Sequence, residues 1–139
     1  MTEEQILKYG YELLELSKRF LQEDGKLNPT AFLVRGTQPE LFRLDFSSET
    51  SKRRSCAAAV ARAKALKALG IVAVFTATGR DLTRVSRKQR RGRYILVLFS
   101  SNRLKTWILE QPFQEKSGGF SFGPPVQDRE GIQISLLHW

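Results

Sequence analysis

The chain reads as an α+β protein, one mainly antiparallel sheet of about six strands with two helices in the order α-β-β-α-β-β-β-β. Three observations predict it. Apolar residues recur at helical spacing in two stretches, near the N-terminus and near the middle. The remaining apolar segments are short and rich in β-branched and aromatic residues, and Gly, Pro, Asn or Ser punctuates the chain between them. With 139 residues the chain suits a single domain, 1–139, large enough to bury its own core.

Residues 3–23 repeat apolar side chains at Ile6, Tyr9 or Gly10, Leu13, Leu14, Leu16, Phe20 and Leu21 with charges between them, the spacing of an amphipathic helix. Thr2 followed by Gln5 forms a capping-box pattern, and Gly25 supplies the stop. A turn at Asn28 and Pro29 leads to a strand over 31–34, a second turn over "GTQPE" and a strand over 41–46, which together predict a hairpin. The second helix is expected from Ser48 to Leu69, with Ser47 or Ser48 as N-cap, a stripe of Cys56, Ala59, Val60, Ala63 and Leu66, and Gly70 as its end. "IVAVFTAT" at 71–78 is nearly continuous in apolar residues and predicts a central strand covered on both sides. Both helices are nevertheless expected on one face. Strands follow over 93–100 and 104–109, paired around "SSNR". Residues 112–131, with four glycines and three prolines, read as an irregular loop, and 131–139 as a closing strand.

The arrangement of "LDF" before a basic helix and "GIVAVFTAT" after it resembles small uncharacterised bacterial and phage-borne proteins over residues 28–110. The resemblance implies the order of elements and no activity.

Charge is the informative part of the composition. Residues 1–24 hold Glu3, Glu4, Glu12, Glu15, Glu23 and Asp24 against Lys8, Lys18 and Arg19. Residues 51–93 hold Lys52, Arg53, Arg54, Arg62, Lys64, Lys67, Arg80, Arg84, Arg87, Lys88, Arg90, Arg91 and Arg93 against Asp81 alone, and the rest of the +9 chain is balanced. A localised positive field attracts polyanions, and arginine suits phosphate because its planar fork bonds two oxygens at once. The basic segment is followed at once by the apolar run "YILVLF", so a cationic loop is anchored to a core strand. No aromatic residue stands among the cations from Arg84 to Arg93, which argues against reading of bases by stacking.

The expectation is therefore a non-catalytic nucleic-acid or polyanion-binding protein of low base specificity. Its site is Arg84, Arg87, Lys88, Arg90, Arg91 and Arg93, together with Lys52, Arg53 and Arg54 at the start of the second helix. An acidic protein partner is the alternative, and a metal-dependent nuclease the second alternative. For the nuclease, Asp45, Glu49 and Lys52 are the available groups, but Glu49 and Lys52 lie three apart on a helix and do not match the acid-x-lysine strand pattern of restriction-type enzymes. The one histidine, His138, is a poor base for nucleophilic catalysis at the penultimate position. The one cysteine, Cys56, excludes an internal disulfide and reads as a small buried side chain. No phosphate-loop or dinucleotide motif occurs, so no cofactor or metal is expected. The N-terminus "MTEEQ" lacks a basic and an apolar region, and no apolar run approaches a membrane span, so a cytoplasmic protein without a membrane partner is expected. A homodimer through an exposed patch of Trp107, Trp139, Phe113, Phe120 and Phe122 is a further expectation.

Overall fold

The computed structural model describes residues 1–78, 92–128 and 136–139. The elements are α1 (Glu3–Asp24), β1 (Thr30–Val34), β2 (Glu40–Arg43), α2 (Glu49–Ala65), β3 (Gly70–Thr78), β4 (Arg93–Ser100), β5 (Trp107–Lys116), β6 (Gly119–Phe122) and β7 (Val126–Asp128). All described strand pairs are antiparallel, in the order β2-β1-β3-β4-β5-β6, with β7 also paired to β5. The α+β class and the element order are as expected, with seven strands among the described residues rather than about six.

Local chemistry sets the helix ends. Thr2 and Gln5 exchange the two bonds of a capping box at α1, and Gly25 closes it at φ 73°. Ser48 caps α2 by accepting from the Ser51 N–H. α2 ends earlier than expected: Lys67 takes the left-handed conformation at φ 55°, and the Ala68 N–H reaches back to the Ala63 carbonyl at 2.9 Å. Gly70 is already in β3, and it serves close approach. A Cβ there would meet the Phe99 ring and stand 2.7 Å from the Ser100 carbonyl oxygen.

Successive strand residues point to opposite faces, and this assigns each helix its own side of the sheet. Val72, Val74, Ile95, Val97 and Phe99 pack under Ile6, Leu13, Leu14 and Leu21 of α1. Ile71, Ala73, Phe75, Leu96 and Leu98 pack under Cys56, Ala59, Val60 and Ala63 of α2. The expectation of both helices on one face is thus corrected. β3 and β4 are apolar in both parities, so each face needs its own cover. The alanines of α2 let it sit close to the sheet, and Gly10 of α1 does the same against the Trp107 ring.

The region expected to be an irregular loop contributes strands instead. β5 begins at Trp107 and continues to Lys116, with Pro112 inside it opposite Tyr94. Proline is tolerated there because the outer edge of β5 is shared: β7 pairs with 108–110 and β6 with 113–116. Pro112 lies in the gap between them, where its carbonyl accepts from the Gly123 N–H at 3.0 Å. Of the expected closing strand, residues 131–135 lie outside the described residues and 136–139 are not a strand. Leu136, Leu137 and Trp139 pack on the α2 side of the sheet. The Trp139 indole donates to the Ser100 hydroxyl at 3.1 Å, and that hydroxyl donates to the Leu137 carbonyl at 2.8 Å.

Candidate nucleic-acid interface

Strand register decides which basic residues share one end of the molecule. β3 finishes at Thr78, directly opposite Arg93, where β4 begins. Thr30, the first residue of β1, pairs with Val74 on one side and with Arg43, the last residue of β2, on the other. The chain therefore leaves β2 at the same end of the sheet at which β3 stops and β4 starts. Five residues later α2 begins there and runs back toward Gly70. Phe46, in the connection, packs edge-on to Phe75 with centroids 5.1 Å apart, which holds the connection against the sheet.

Lys52, Arg53 and Arg54, in the first turns of α2, thus belong to the sheet end bounded by Thr78 and Arg93. Arg53 and Arg54 are exposed, and neither makes an ion pair among the described residues. Lys52 is half-buried, its ammonium 5.0 Å from the centre of the Phe46 ring. Arg93 points to the α1 face, with its guanidinium 4.9 Å from the Phe113 ring centre and 3.6 Å from a Glu115 carboxylate oxygen. It remains exposed enough for a second partner. Arg84, Arg87, Lys88, Arg90 and Arg91 lie outside the described residues.

Arg62 is differently employed. It bonds Glu40 through two nitrogens at 3.0 Å each, tying α2 to the edge strand β2. The hydrogen bond to Arg62 holds the Glu40 carboxyl below its ordinary range, and Glu40 raises the Arg62 guanidinium. As an ion pair on the surface it contributes little net positive field.

Of the acidic residues weighed for a nuclease, Asp45 is occupied locally. Asp45 accepts from the Ser47 N–H at 2.9 Å, and its carboxyl is held below its ordinary value, chiefly by bonding to Ser47, with Ser51 adding to it. The Ser55 hydroxyl clamps the same turn, accepting from the Asp45 N–H at 3.0 Å and donating to its carbonyl at 3.2 Å. Glu49 stands exposed in the first turn of α2, where a carboxylate favours the helix end. Among the described residues no group of three or more His, Cys, Asp or Glu side chains is placed to hold a metal ion.

Two further expectations meet the structure. Cys56 is buried, and burial pushes its thiol up to about 11, so it is a protonated packing residue at neutral pH. The aromatic residues expected to form one exposed patch are buried or half-buried and packed on the sheet. Trp107 and Phe113 are buried, Phe120 and Phe122 pack on Phe113, and Trp139 packs on the α2 side with its indole bonded. Among the described residues the exposed large apolar ones are Tyr11, Leu16, Phe20, Leu41 and Val126, which composition did not single out. Leu16 and Phe20, expected on the apolar side of α1, are corrected to its surface: the buried stripe is Ile6, Gly10, Leu13, Leu14, Ser17 and Leu21. No described helix is long and apolar enough to cross a membrane.

No protein-family model, curated protein or solved structure matches the chain, so the likeness of residues 28–110 to small bacterial and phage-borne proteins gains no support from a relative.

Proposed function

We propose that this chain is a non-catalytic binding protein that takes nucleic acid, or a polyanion of similar charge density, on the basic end of its sheet. One observation carries the reading. The fold brings Lys52, Arg53 and Arg54 to the sheet end from whose strands the arginine-rich segment 84–93 departs and returns, although some thirty residues separate the two in sequence. Basic segments that meet reinforce one another's field, and dense cations gain affinity for phosphates by releasing condensed counterions.

Binding of this kind addresses phosphates and is nearly indifferent to base sequence. The test is a polarisation titration of duplex DNA, single-stranded DNA and RNA at several salt concentrations. The wild type binds all three, more weakly as salt rises, with a log-log slope of about −0.9 per phosphate neutralised on duplex DNA. Replacing Arg87, Lys88, Arg90 and Arg91 together by serine weakens binding and flattens the slope. Failure of the wild type to bind any of the three at low salt ends the reading in favour of an acidic protein partner.

A further inference from the structure

The α1 helix carries one flank that the fold leaves uncovered. Leu16 and Phe20 are 39% and 43% exposed, and they stand at the mouth of a cavity of about 240 Å³ floored by Leu13, Leu27, Phe32 and Val74. Small-molecule sites run to roughly 300–1,000 Å³ with a few convergent polar groups, so this hollow suits an inserted apolar side chain better than a metabolite. The same flank holds Tyr9, Glu12, Arg19 and Glu23, because spacings of three, four and seven residues fall on one side of a helix. Glu12 and Arg19 are exposed, and neither makes an ion pair among the described residues.

These positions are self-complementary about a two-fold axis. When two copies of α1 cross antiparallel at Leu16, Leu16 meets Leu16 of the second copy, Glu12 comes beside the second copy's Arg19, and Tyr9 comes beside its Glu23. One register satisfies all three pairs; the Leu16 pair lies on the axis, and each of the other two occurs twice. The surface that matches this flank in charge and in apolar content is the flank itself, as an isologous interface requires. We infer that α1 is a homodimer interface, with Leu16 and Phe20 at its centre and Glu12–Arg19 pairs on either side. The inference does not rest on the polyanion reading, since it is argued from the side chains of α1 alone.

Sedimentation velocity on nucleic-acid-free protein tests it. The mass rises with concentration toward twice the 15.9 kDa of one chain. Leu16→Glu and Phe20→Glu each return the protein to a monomer with an unchanged circular-dichroism spectrum, because both residues are at the surface. Glu12→Arg and Arg19→Glu each weaken association several-fold, and the two together restore it. A wild type that stays at 15.9 kDa at every concentration overturns the inference. So does a dimer that survives Leu16→Glu, or a double charge reversal that fails to recover association.

Discussion

Arg53 and Arg54 provide a quantitative handle on the basic end. Both are exposed, on a helix whose first turns belong to the sheet end bounded by Thr78 and Arg93, and neither is paired with a carboxylate among the described residues. Replacing both by serine removes two cations without touching the core. If each neutralises one phosphate of duplex DNA, the salt dependence flattens by about 1.8 in log-log slope. Over a fourfold rise in salt, that slope difference corresponds to about 12-fold less loss of affinity in the variant than in the wild type. Lys64→Ser is the control. It lies eleven residues further along α2, about 16 Å away along the helix axis, and its replacement should leave the slope close to wild type. The assay is fluorescence polarisation with a labelled duplex across salt concentrations. An unchanged slope for Arg53→Ser/Arg54→Ser, alongside a flattened slope for the quadruple serine variant of residues 87–91, would refute the argument that α2 and the basic segment form one surface.

Three other outcomes are expected. Gly70→Ala forces a Cβ to 2.7 Å from the Ser100 carbonyl oxygen, and it should cost roughly 1–3 kcal/mol, read as a lower urea midpoint; an unshifted midpoint contradicts the close approach of β3 and β4. The Cys56 thiol, raised from 9.0 to about 11, binds its proton more tightly folded than unfolded, so its contribution is complete below about pH 9 and is lost as pH rises through about 11. Thiol labelling at pH 8 should accordingly proceed only through unfolding, and rapid labelling of the native protein would contradict the burial. Mg²⁺ or Mn²⁺ should elicit no nucleic-acid cleavage, since Asp45 is bonded into its own turn; metal-dependent cleavage abolished by Asp45→Ala would establish the nuclease instead.

What was legible in the sequence is what neighbouring residues decide. The capping box of Thr2 and Gln5, the stop at Gly25, the Ser48 cap and the continuous runs of β3 and β4 all depend on contacts within a few residues. The faces of the sheet were not legible in the same way. A run such as "IVAVF" is apolar at both parities, so it shows that two covers are needed without showing which helix supplies which. The continuation of β5 beyond Leu109, together with β6 and β7, was hidden by Pro112 and the glycines that follow it, because the strands divide an edge between them and leave proline in the gap. The density of arginine in 84–93 was plain. The placement of Lys52 to Arg54 was not, since it depends on the lengths of β1 and β2 and on α2 starting at one end of the sheet rather than the other.

A sheet with a helix on each face has spent both of its broad surfaces on folding. Along β3 from Gly70 to Phe75, and along β4 from Ile95 to Ser100, every residue is buried whichever way it points, so a charged substitution at any of them meets the interior. Partners are left with the ends of the strands, the sheet edges and the outer sides of the helices. Those regions are built from short connections and helix turns, and their side chains can change without repacking the centre. Binding properties of this architecture can therefore diverge quickly between descendants of one ancestor while the buried strands stay nearly constant, and relatives would be easier to find by the apolar pattern of β3 and β4 than by their charged residues.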